Sequence, residues 1–168
     1  MKKFILSILI LFISVFAFAD YESIDEINLE SADKTLEILT SRGHNVLVNF
    51  NEELIAFNDS SSRAFLWHLN NLIEIMNIVD ENNIDVDYHS QTAMMYAETY
   101  SNKRISFRVL INNDSSYVAR IGIVEYETLQ TFYLSRSELE SLISSVESAI
   151  GRHEDMMSQI TLLNEQIK

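Results

Sequence analysis

The chain has 168 residues, a formal net charge of −13 at neutral pH, no Cys, no Pro and only three Gly. This charge repels nucleic acid and anionic lipid, and it suits a soluble protein or one with a basic partner. The missing Cys excludes a disulfide framework and thiolate sites, and the Gly pattern excludes phosphate-binding loops and the G-x-S-x-G hydrolase turn.

The N-terminus has the pattern of a secretion signal. Lys2 and Lys3 precede an apolar run that ends in the small-x-small sequence Ala17-Phe18-Ala19. The run is about fifteen residues long, which is shorter than the roughly 20 residues of a membrane-spanning helix. We therefore expect residues 1–19 to be cleaved, and the mature chain to be periplasmic or extracellular and away from the membrane. An uncleaved N-terminal anchor is the alternative.

Two segments with weak local signals follow. The acidic stretch 20–30 predicts a loose leader. Residues 31–42 carry apolar side chains at helical spacing, which predicts a short helix. A strand through Leu36 and Ile38 is the alternative.

A hairpin and a helix are predicted next. The apolar runs 45–50 and 53–58 suit two strands joined by a turn at Asn51-Glu52. A helix from 61 to 81 then has an apolar stripe at sustained helical spacing. The stripe consists of Phe65, Leu69, Leu72, Met76 and Val79.

The acidic segment 80–89, DENNIDVDYH, is the stretch closest to a metal site. Calcium loops need a Gly at position six and a Glu at position twelve, where this chain has Asp85 and Gln91. We therefore interpret the segment as an acidic connector from helix to sheet, with a short edge strand after Asn83.

The rest of the chain predicts an antiparallel meander and a long helix. The strands span 92–100, 104–112, 117–126 and 129–134. The helix begins at the capping-box pattern Ser135-x-x-Glu138.

Apolar positions in this helix repeat every seven residues, as in a coiled coil, with a polar interruption at His153. A helix that runs to the C-terminus is roughly 45 Å long, more than twice the width of four strands. Residues 135–150 can therefore cover the sheet. Residues 151–168 project, pack back against the 61–81 helix, or pair with another chain.

These elements predict an α+β fold: an antiparallel sheet of four to six strands, helices packed on one face, and a long C-terminal helix. We expect a single domain over 20–168. The element order and the stretch LEILTSRGHNVLV, residues 36–48, are loosely similar to the small acidic YbjN-type proteins and the type III secretion chaperones. The resemblance implies a chaperone-like fold, whereas the secretion signal argues against a cytoplasmic chaperone.

The sequence has no catalytic motif, and it predicts no cofactor and no metal site. The stretch HEDMM begins like a zinc-protease H-E-x-x-H helix but ends in Met157. We therefore expect an exported, non-enzymatic protein that binds a macromolecule or itself. A hydrolase with an unmarked site is the less favoured alternative.

Two surfaces are candidate binding sites. On the sheet, a shared wet face would form a basic strip for a small ligand or a peptide; its residues are Arg104, Arg108, Arg120 and Tyr117. On the last helix, a heptad stripe would pair two chains as a homodimer; its residues are His153, Met156, Ile160, Leu163 and Ile167.

Overall fold

The computed structural model describes residues 21–29, 34–50, 53–97, 103–125 and 128–166 of the protein. Four strands come first: β1 (Tyr21–Leu29), β2 (Lys34–Ser41), β3 (Val46–Phe50) and β4 (Glu53–Phe57). Helix α1 (Asp59–Asn82) follows. Five further strands are β5 (Tyr88–His89), β6 (Ala93–Tyr96), β7 (Arg104–Ile111), β8 (Tyr117–Glu125) and β9 (Thr128–Leu134), and helix α2 (Arg136–Gln166) ends the described chain.

The strands form two antiparallel sheets. Sheet A has the order β1-β2-β3-β4, and sheet B has the order β5-β7-β8-β9 with β6 also paired to β7. The predicted α+β class and the long C-terminal helix are therefore confirmed. The strands divide between two sheets because the β3–β4 hairpin pairs with β2, and β2 with β1, and not with the meander.

The expectations for the first segment were wrong. The predicted leader 20–30 forms β1, and the predicted helix 31–42 contains β2, which is the strand alternative. In β2, Leu36, Ile38 and Thr40 alternate into the core, so the period of two prevails over the helical spacing once strands pair on both sides.

Both helices begin at side-chain caps. Asn58 caps α1 through its side chain, which accepts from the backbone N–H of Ser61, and Asn83 ends the helix in the left-handed conformation. At α2, the Glu138 carboxylate accepts from the Ser135 backbone N–H at 2.6 Å, and the Ser135 hydroxyl accepts from the Glu138 N–H at 3.4 Å. The capping box is thus confirmed.

One continuous core joins the two sheets and the two helices. Helix α1 contacts β6 and β7, while α2 contacts β1, β2 and β3 and packs against α1. The inner face of sheet B supplies Ile105, Phe107 and Val109 to this core. No helix among the described residues is long and apolar enough to cross a membrane.

Candidate functional site

The outer face of sheet B brings three predicted binding residues together. Paired residues of antiparallel strands point to the same side of a sheet, and Ile105, Phe107 and Val109 point into the core. The alternate residues Arg104 and Arg108 of β7 therefore point outward, and the register adds Arg120 of β8 as the partner of Arg108. We call this outer surface of β6–β9 the arginine face.

The described outward positions of β6–β9 include three Arg and no carboxylate, on a chain whose net charge is −13. The register assigns these positions to Met94, Tyr96, Arg104, Ser106, Arg108, Leu110, Val118, Arg120, Gly122, Val124, Leu129, Thr131 and Tyr133. Helix α1 lies on the other side of the sheet, where the ring of Phe65 lies 5.9 Å from that of Phe107. The arginine face is thus a local basic surface on an acidic protein.

Two of the cations are direct cross-strand neighbours. Arg108 pairs with Arg120 in the β7–β8 register, where like charges repel across about 5 Å between Cβ atoms. Arg108 also donates from Nε to the Thr92 hydroxyl at 2.9 Å. In the described chain neither guanidinium lies within ion-pair distance of a carboxylate. An anion that binds between the Arg108 and Arg120 guanidinium groups would therefore reduce the repulsion between them.

Exposed apolar side chains flank the cations. Tyr96 is 71% exposed and pairs with Arg104 across the β6–β7 ladder. Met94 and Leu129 are each 53% exposed at the two sides of the same face. Sequence reasoning missed Met94 and Leu129, since only the strand register shows that they share a face with the Arg residues.

The arginine face has the size of a short peptide. Three gaps between neighbouring strands measure about 14 Å, and the outward residues from Arg104 to Leu110 span about 20 Å. An extended peptide of about six residues has the same length. The combination of cations and apolar side chains suits an anionic, amphipathic ligand.

Tyr117 lies away from the arginine face, although the sequence grouped it with the Arg residues. It shares the inward side of β8 with Ala119, and its hydroxyl donates to the Asp80 carboxylate at 2.8 Å. Arg136 donates from Nε to the Tyr117 oxygen at 3.0 Å and from Nη2 to Asp80 at 2.6 Å. The hydrogen bond to Tyr117 raises the pKa of Arg136. Tyr117 therefore ties β8 to the end of α1 and the start of α2.

The structure places the predicted self-association residues in different surroundings. His153 is engaged within the chain, because its Nδ1 lies 2.8 Å from the carbonyl oxygen of Ser41. Met156, Ile160 and Leu163 line a cavity of about 350 Å³ beside the start of sheet A. Ile167 lies outside the described residues.

Carboxylates come together in one further cavity of about 330 Å³, between β1 and the start of α2. Two of its three acidic residues, Asp25 and Glu138, already have structural partners, and the third is Glu26. Asp25 accepts from the Ser145 hydroxyl, and Glu138 caps α2. Among the described residues, no group of three His, Cys, Asp or Glu is arranged to hold a metal ion.

No protein-family model, curated protein or solved structure matches the chain.

Proposed function

We propose that this protein is an exported, non-enzymatic binding protein whose arginine face receives an acidic, amphipathic peptide segment of a partner protein. The observation that carries the proposal is the adjacent pair Arg108 and Arg120 on a face whose described outward positions include no carboxylate. Export is supported by the basic and apolar N-terminal pattern with its Ala17-Phe18-Ala19 end.

An extended acidic peptide fits both the charge and the shape of the face. Its carboxylates would bind the guanidinium groups through charge-assisted hydrogen bonds. Its alternate apolar residues would cover Tyr96, Met94 and Leu129, which are exposed on the same surface. Because the contact area is far below that of a standard protein interface, we expect a dissociation constant of roughly 10–100 micromolar.

A titration with a defined probe tests the proposal. The probe is a fluorescein-labelled peptide of about eight alternating Glu and Leu residues, which is long enough to cross the face. Fluorescence anisotropy would measure its affinity for the chain Asp20–Lys168, which contains the whole described core. The double variant R108Q/R120Q should weaken binding about tenfold or more, since each desolvated charge contact contributes more than 1 kcal/mol.

The matched control is K34Q/R63Q, which removes the same charge from two exposed positions elsewhere. This control should retain the affinity within about twofold, and salt at about 500 mM should weaken binding of the unmodified chain. Equal affinity of both double variants would overturn the proposal. Heparin that binds more tightly than the peptide, and needs Arg108 and Arg120, would replace the peptide with an acidic glycan.

A further inference from the structure

The end of α2 extends beyond the core of its own chain. The last buried position of the helix is Ile150, and the helix continues to Gln166, a further length of about 24 Å. Apolar residues continue along it, with Leu162 and Leu163 each 58% exposed and Met157 40% exposed. We call residues 152–166 the helix end.

A trough lies beside the helix end. The cavity of about 350 Å³ has one wall from the helix, including Met156, Ile160 and Leu163, and another from sheet A, including Thr40 and Arg42. The first wall is largely apolar. The second wall is polar and contains Arg42 beside Glu22, whose carboxylate is paired with Arg152. An occupant that offers an apolar surface to the helix wall and an acid to Arg42 therefore suits the trough.

The helix end itself has this chemistry. Leu163 supplies exposed apolar surface, while Asp155 and Glu165 supply acids. Glu154 is already held within the chain by Arg63, at 2.8 Å. At the base of the trough, Arg152 is already held by the Glu22 carboxylate at 2.8 Å. Arg42 is exposed and has no carboxylate within ion-pair distance in the described chain.

We infer that two copies of this chain pair through their helix ends, antiparallel and about a two-fold axis close to Ile160. In this arrangement the Leu163 of each copy packs beside the Met156 of the other, because these residues lie at equal distances on either side of the axis. Glu165 of each copy then lies near the base of the opposite trough, where Arg42 is placed to pair with it. A two-fold contact of this kind uses the same surface twice and therefore closes at a dimer.

The contact is large enough for a weak dimer. Each copy contributes one helix face of about 24 by 10 Å, which is also one wall of its trough, and the smaller sheet wall, so that the total over the two copies is on the order of 500–1,000 Å². Interfaces of this size form transient complexes, with dissociation constants in the micromolar range or above.

Sedimentation equilibrium on the chain Asp20–Lys168 tests the dimer. From about 1 to 300 micromolar, the average mass should rise from one chain toward two. The variant M156Q/L163Q, which changes two trough-lining residues of the helix end, should raise the dissociation constant at least tenfold. The control L54Q/I78Q changes two exposed apolar residues outside the helix end and should leave it unchanged. A monomer over the whole range, or a dimer whose dissociation constant is unchanged in M156Q/L163Q, would overturn the inference.

Disulfide cross-linking tests the antiparallel arrangement. The chain has no Cys, so a single introduced Cys can link only to its copy. I160C should form a linked dimer on oxidation, since its two Cα atoms would lie within about 7 Å. S158C is the control, because residue 158 is exposed on the opposite side of the helix. Linkage of S158C but not of I160C would contradict the arrangement. Dodecanoate that binds a monomeric chain through Arg42 would assign the trough to an amphipathic anion instead.

Discussion

Gly122, at the centre of the arginine face, offers a quantitative test of the β7–β8 register. A Cβ added there would lie 2.7 Å from the Ser106 Oγ and 3.2 Å from the Leu129 Cδ1. The backbone of Gly122 does not have a positive φ, so that alanine is excluded only by these contacts. The Ser106 hydroxyl also donates to the Gly122 carbonyl oxygen at 3.2 Å.

The variant G122A should therefore destabilise the protein in one background and stabilise it in another. In the unmodified chain, Ser106 must rotate away and lose its hydrogen bond, which costs about 1 kcal/mol, and crowding adds a similar amount. Alanine in a strand regains roughly 0.5–1 kcal/mol relative to glycine, so the free energy of unfolding should fall by about 1 kcal/mol. In the S106A background the contact with the Ser106 hydroxyl is removed and only the end of the Leu129 side chain must shift, so G122A should raise the free energy of unfolding by about 0.5 kcal/mol.

Urea unfolding of the four variants, followed by circular dichroism, measures this double-mutant cycle. The coupling free energy between the two positions should be about 1.5 kcal/mol or larger. Additive effects of S106A and G122A, within about 0.5 kcal/mol, would refute the close approach of β7 and β8 at this point.

Two further predictions concern a helix cap and a histidine. The variant S135A should lower the free energy of unfolding by about 0.5–2 kcal/mol in urea titrations, because it removes the capping hydroxyl of α2. The control S144A, on the exposed face of the same helix, should leave this free energy unchanged. An equal loss of free energy in S135A and S144A would contradict the cap. Burial lowers the pKa of His68, whose ring stacks on Phe107, so below about pH 6.5 the unfolded chain binds a proton more readily than the folded chain. The free energy of unfolding should therefore fall between about pH 7 and pH 5. The variant H68F should reduce that fall, and the exposed control H89F should leave it unchanged. If H68F and the unmodified chain lose the same free energy over this pH range, the role of His68 is contradicted.

Local signals in the sequence predicted the helices well. The capping box of Ser135 and Glu138 and the apolar stripe from Phe65 to Val79 each depend only on residues close together in the sequence. The structure contains both. Strand β2 was mistaken for a helix because its type depends on pairing with β1 and β3, which no residue of the segment 34–41 encodes alone.

The candidate site was predictable in part. The alternation of β7 and β8 placed Arg104, Arg108 and Arg120 outward, and the same alternation places Tyr117 with Ala119 on the inner side. The contribution of Leu129 depends on the register of β9 against β8. That register follows from packing between distant segments, and a single sequence does not reveal it.

The central claim is that the arginine face binds an acidic, amphipathic peptide, and paramagnetic relaxation tests it most directly. A spin-labelled peptide of alternating Glu and Leu residues would be added to the ¹⁵N-labelled chain Asp20–Lys168. Binding at the arginine face predicts that amide signals of Ser106, Arg120 and Thr131 broaden strongly, while those of Val48 and Ile55 in sheet A stay sharp. Broadening centred on sheet A or on the helix end, or no broadening at any residue, would contradict the claim.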